Sequence, residues 1–137
     1  MKPEWNILGM IKYGLSESII FIGISPSAKK SFKNSTLTTL KKWCENAGIL
    51  HYDFHNVIPH KEKSCDESDV DVDLLLEKTK DRKIIVALGG FVHKVLRKHN
   101  ITHIKVDHPS PRNRALNDPH RHRQNIEILK QAYDRNY

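Results

Sequence analysis

Two kinds of apolar run alternate along the chain. Ser18–Ile24 (S-I-I-F-I-G-I) and Lys83–Leu88 (K-I-I-V-A-L) are continuously apolar and rich in β-branched residues. A continuous run, as opposed to in-and-out alternation, marks a strand buried on both faces, hence an inner strand of a parallel sheet. Ile49–His55 and Thr102–Val106 read as two further strands. Between them the apolar spacing changes to three and four. Ser35–Ala47 carries Leu37, Leu40, Trp43 and Ala47 on one helical face, with Ser35 placed to cap it and Gly48 placed to end it. Asp69–Lys80 presents Val72, Leu75, Leu76 and Thr79, with acids early and lysines late as the helix dipole favours. Gly89-Gly90 turns into a helix with Phe91, Val95 and Leu96 inward, ended by Asn100. A last helix runs from about Pro119 to Tyr133 with Ile126, Leu129 and Tyr133 inward, and Pro3–Lys12 fits a short opening helix stopped by Gly14.

This β-α-β-α-β-α-β-α order predicts one α/β domain over residues 1–137: three layers, α/β/α, around a four-stranded parallel sheet with right-handed crossovers. In such sheets, ligands bind at the carboxyl ends of the strands. The strand ends therefore supply the candidate chemistry. The first strand runs into Ser25-Pro26-Ser27, the second into Asp53, His55 and Asn56, the third into Gly89-Gly90. The fourth runs into His108-Pro109-Ser110-Pro111, then Arg112, Asn113 and Arg114. Two prolines at that spacing stiffen the loop and exclude helix or inner strand. Gly89-Gly90 suits either a phosphate at a helix start or simply a tight turn.

Composition narrows the partner. With 23 Lys and Arg against 16 Asp and Glu, the net charge is +7 before nine histidines are considered. That favours a polyanion, nucleic acid first. Cys44 falls within a helical apolar stripe and reads as a core thiol; with Cys65 it forms neither a zinc pattern nor a disulfide framework, which suits a reducing compartment. The sequence shows no signal-peptide core and no apolar run of about 18 residues, so an intracellular protein with no membrane association is expected.

The strand-end motifs carry a resemblance. G-I-S-P-S after the first strand, F-H-N-V-I-P after the second, V-A-L-G in the third and H-P-S-P-R-N after the fourth resemble the uracil-DNA glycosylase superfamily, over Ile20–Asn113 and in the family's order. The last motif is most similar to the single-strand-selective monofunctional branch, and the first also to the mismatch-specific branch. The resemblance implies a monomeric DNA glycosylase that needs no metal or cofactor. It excises uracil or a 5-substituted uracil by hydrolysing the N-glycosidic bond of a flipped nucleotide.

The resemblance also assigns roles. His108 would hydrogen-bond the base oxygen as negative charge develops on the departing base; a turn-capping histidine is the plain alternative. Asn56 would read the edge of uracil with its amide, or else close a turn. Ser25 stands where the family has Asn, Asp or Glu to hold the attacking water, so Asp53 or His55 is expected to assist it. Ile24, Pro26 and Phe32 would contact the base, Phe32 by stacking or else by packing in the core. Ser27, Lys29, Ser110, Pro111, Arg112, Asn113 and Arg114 would contact DNA, with Lys30, Lys33, Arg121 and Arg123 adding salt-sensitive affinity. Ser27 replaces a bulky aromatic of the uracil-strict branch and implies room for a 5-substituent. No lysine is placed for Schiff-base lyase chemistry. The other expectation is a glycosylase-fold protein with altered chemistry. It would bind uracil-containing or modified DNA, or act in a base-modification pathway.

Overall fold

The computed structural model describes residues 17–24, 36–58, 66–110 and 113–136. Four strands, β1 (Ile19–Gly23), β2 (Asp53–Asn56), β3 (Ile84–Leu88) and β4 (Ile104–Val106), form one sheet in the order β2-β1-β3-β4. Every pairing is parallel. The continuous apolar runs are the two inner strands, as burial on both faces demands. Helices α1 (Thr36–Ala47) and α4 (Pro119–Asn136) cover one face, and α2 (Val72–Thr79) and α3 (Gly90–Lys98) the other. The architecture is the expected three-layer α/β/α. Alternate residues of β1 divide between the layers: Ile19 and Phe21 pack with Leu40, Trp43 and Leu129, whereas Ile20 and Ile22 pack with Leu75, Val95 and Leu96. Among the described residues, no helix is long and apolar enough to cross a membrane.

Several boundaries differ from the sequence expectation for identifiable reasons. The second strand begins at Asp53, not Ile49. The apolar residues before it finish α1 instead. Gly48 takes φ +84°, its N–H donates to Glu45 O, and Ile49 N–H donates to Cys44 O at 2.8 Å, the Schellman pattern of a helix end. Ile49 is buried against the helix while Leu50 is 75% exposed. Helix α3 ends in the same way: Asn100 has φ +59° and Ile101 N–H donates to Leu96 O. The fourth strand is likewise shorter, starting at Ile104.

Leu37, expected inward, sits in the first turn of α1 and is 56% exposed. Leu76, about 100° round the helix from buried Leu75, is also exposed. Cys44 is a core thiol, and burial pushes its pKa up to about 12. The expected opening helix and Gly14, the cap Ser35 and Cys65 lie outside the described residues.

Candidate functional site

The strand order sets β1 and β3 side by side at the centre. From β1 the chain next pairs β2 on one side, and from β3 it next pairs β4 on the other. The junction of β1 and β3 is thus the topological switch point, where open parallel sheets bind ligands at their carboxyl ends. A glycine ends or follows each inner strand there, and a polar side chain from the adjacent edge strand lies over each glycine. A Cβ added to Gly23 would stand 2.7 Å from Asn56 Oδ1 and 2.9 Å from Phe54 Cζ. A Cβ added to Gly89, whose φ is +92°, would stand 3.1 Å from His108 Cβ. Asn56 and His108 come from strands three spacings apart, but the backbones they overlie are neighbours, about 5 Å apart.

The histidine side is held by side-chain bonds. Ser110 N–H donates to His108 Nδ1 at 3.2 Å, so the proton of the neutral ring sits on Nε2. Burial lowers the pKa of His108, which favours that neutral form. Asn113 Nδ2 donates to His108 O at 2.9 Å and its Oδ1 caps the following 3-10 turn, Arg114–Asn117. Asp107, just before the histidine, is clamped by α4. Arg121 donates to both carboxylate oxygens, at 2.9 and 2.6 Å, and Asn125 Nδ2 donates to Oδ2. Asp107 N–H donates back to Asn125 Oδ1. Burial disfavours the Asp107 charge, but the bonds from Arg121 and Asn125 and the charges of Arg121 and Lys105 outweigh it and hold the carboxyl below its ordinary range.

The asparagine side is held by backbone. Val57 N–H donates to Gly23 O and Ile58 N–H to Ile24 O, carrying β2's pairing past its end. Asp71 N–H donates to Val57 O and ties in the start of α2. Ile24, expected at the base, packs against the core cluster on the α2 and α3 face.

The structure moves other expected residues away from the cleft. Asp53 is the first residue of β2 and pairs with Ile20, so it lies about 10 Å along the strand from Asn56, at the amino end of the sheet. There it accepts from Glu17 N–H and Arg82, whose guanidinium also donates to Glu17 O. Asp53 joins strand starts and does not reach a cleft at the strand ends. His55 neighbours Asn56 but points to the opposite face, as alternate strand residues must. Its Nε2 is enclosed without a hydrogen-bond partner. Burial lowers its pKa; nearby Lys78 and Arg82 do the same, against an opposing effect of Asp71.

Of the expected DNA contacts, Ser110 and Asn113 brace the loop, and Arg114 is exposed at the start of the 3-10 turn. Arg121 is committed to Asp107, and Arg123 donates to His120 Nδ1. Ser25, Pro26, Ser27, Lys29, Lys30, Phe32, Lys33, Pro111 and Arg112 lie outside the described residues.

Sequence reading missed the Asp107–Arg121–Asn125 clamp and the two accommodating glycines. Asn125 stands beside Ile126 on the buried side of the last helix, a polar residue among Ile126, Leu129 and Tyr133, and it is 2% exposed. Among the described residues, no group of three or more His, Cys, Asp or Glu is arranged to hold a metal ion. Comparison of the chain with protein-family models, curated proteins and solved structures returned no match.

Proposed function

We propose that this chain is a monofunctional DNA glycosylase that flips out and excises uracil, or a 5-substituted uracil, from DNA. The observation that carries the reading is the paired arrangement at the switch point, with Asn56 over Gly23 and neutral His108 over Gly89. Breaking a pyrimidine N-glycosidic bond leaves negative charge on the base oxygens. A neutral imidazole with its proton on Nε2 donates to that oxygen as the charge grows, and a half-buried setting strengthens the bond. Asn56, with two donors and one acceptor, matches the N3–H and O4 edge of uracil, whereas cytosine presents the reverse pattern. The H-P-S-P-R-N loop supplies the side chains that replace the flipped base and hold the bent strand.

The test incubates the protein with uracil-containing single- and double-stranded DNA, followed by alkaline cleavage of abasic sites. Strand breaks that disappear in His108→Ala are the expected result. Duplexes carrying U, hydroxymethyluracil or T opposite G then define the base. The small Ser27 leads us to expect 5-substituted bases to be accepted, and strict preference for plain U would overturn that part.

A second reading, a glycosylase-fold protein that binds uracil-containing or modified DNA without releasing base, is favoured by one observation. Asp53 is tied to Arg82 at the far end of the sheet, and Ser25 is a poor base. Asp53, the carboxylate expected to assist Ser25, therefore does not take over the water-holding role. Tight binding without strand breaks would select this reading.

A further inference from the structure

The edge of the domain formed by α3 and β4 carries cations that the cleft does not use. Between Asp81 and Asp107 the chain contains Arg82, Lys83, Lys94, Arg97, Lys98 and Lys105, and no acid. Lys94 and Lys98 lean the other way, towards Glu67 at 3.5 Å. Arg97 and Lys105 are exposed and flank a pair of histidines. His93 Nδ1 and His103 Nε2 are 2.8 Å apart, and their rings meet edge to face at 5.0 Å. His103 Nδ1 lies 2.7 Å from Ile101 O, which can only accept, so Nδ1 carries its proton and Nε2 accepts from His93. That chain of bonds fixes the tautomer of both rings and leaves His93 Nε2 as the group that gains or loses a proton.

The side chains acting on His93 are His103, Lys105 and Arg97, from its own helix and from the β4 side. Burial first, and then the charges of His103, Lys105 and Arg97, lower its pKa. A concentrated positive edge of this kind is relieved by an anion. It also lies close to the cleft: His93 N–H bonds to Gly89 O, and a Cβ added to Gly89 would stand 3.4 Å from the His108 ring. Lys105 lies in β4, three residues before His108 in the loop that follows the strand.

We propose that the α3–β4 edge, through His93, Arg97, His103 and Lys105, is a phosphate-binding track that holds the polynucleotide backbone beside the cleft. The proposal rests on the reading of the chain as a DNA-binding protein and names the face along which the strand runs. It replaces part of the affinity first assigned to Arg121 and Arg123, which are engaged within the fold.

The test measures binding of undamaged duplex oligonucleotides by fluorescence anisotropy over a range of salt concentrations. The doubly substituted protein Arg97→Gln, Lys105→Gln is compared with Lys41→Gln, Lys42→Gln, which makes the same charge change on exposed positions of α1 in the opposite layer. Removing two phosphate contacts lowers the slope of log K against log salt by about 1.8. The α1 substitutions leave the slope where it was. Equal slopes in the two proteins would overturn the proposal. A second measurement uses the unsubstituted chain, so it does not depend on how the variants fold. Oligonucleotide shifts the ring resonances of His93 and His103, and inorganic phosphate at the same phosphate concentration does not. Equal shifts from inorganic phosphate would mean a small-anion site and would overturn the assignment to a polynucleotide. Neither measurement requires base release, so a protein that binds here and cleaves nothing loses the catalytic reading and keeps this one.

Discussion

The two sides of the cleft bring a polar side chain over a glycine by different means. On the β2 side the backbone does it: strand pairing simply continues through Val57 and Ile58, and Asn56 is carried into place against Gly23. On the β4 side the strand is only three residues long, and side chains do the holding. Asp107 is gripped by Arg121 and Asn125, the loop carbonyl of His108 by Asn113, and the ring itself by Ser110 N–H. Sheet pairing therefore fixes the group proposed to read the base. A helix-borne polar network fixes the group proposed to stabilise its departure. The first arrangement tolerates side-chain substitution well and backbone crowding badly; the second depends on its side-chain partners and also on a left-handed glycine, Gly89.

Substitutions separate the two sides, beginning with the largest effect. His108→Ala removes the anion-stabilising donor and is expected to slow base release by about 10²–10³-fold with little change in thermal midpoint. Single-turnover assays at saturating enzyme check it. Gly23→Ala would put its Cβ 2.7 Å from Asn56 Oδ1 and 2.9 Å from Phe54 Cζ, so both side chains must shift from their places. Overpacking of this sort costs about 1–3 kcal/mol, readable as a lower urea midpoint. Asn56→Ala, on the paired strand β2, adds no crowding and should lose base discrimination while keeping stability.

Across the cleft, Asn125→Leu leaves the Asp107 N–H without its partner and removes one of the two bonds to Asp107 Oδ2. About 1–3 kcal/mol of stability is expected to go with them. The His108 ring resonances should broaden or shift in that variant; unchanged resonances would mean the clamp does not position the ring.

The smallest expected effect is on pH dependence. His55, His93 and His108 are all held below their ordinary value of 6.5 in the fold. In the unfolded chain they titrate near 6.5, so below that pH the unfolded state binds more protons. Their contribution to stability is present above 6.5 and is lost as pH falls through 6.5 towards the folded values. Asp107, depressed from 3.8, adds a separate loss in more acidic solution. Urea midpoints on either side of 6.5 test the histidine window, and His108→Ala should shrink it.

The inner strands and the layer order were legible because burial on both faces leaves a continuous apolar run, a signal that few other structures produce. Strand starts were not. Ile49-Leu50 looks like a strand by composition, yet Gly48 turns the chain so that Ile49 closes α1, and the β2 pairing begins four residues later at Asp53. That shift carried Asp53 from the presumed cleft to the opposite end of the sheet. His108 and Asn56 were legible as strand-end residues. Gly23 and Gly89 were not legible as their counterparts, because a close approach between strands leaves no local pattern. The roles of Arg121 and Arg123 depended on partners that only the fold supplies.

One hydrogen bond has a consequence in time. Trp43 Nε1 donates to His122 Nδ1, and His122 Nε2 meets Leu116 O, joining α1 to α4 across 79 residues of chain. Closing a chain segment of that length costs about 4 kcal/mol of entropy before the contact returns anything. Contacts of such separation slow folding. Arg121 and Asn125 ride on the same helix, so the loop that carries His108 takes its final shape only when α4 docks. The asparagine half of the cleft thus rests on strand pairing, and the histidine half on a helix docked from far along the chain.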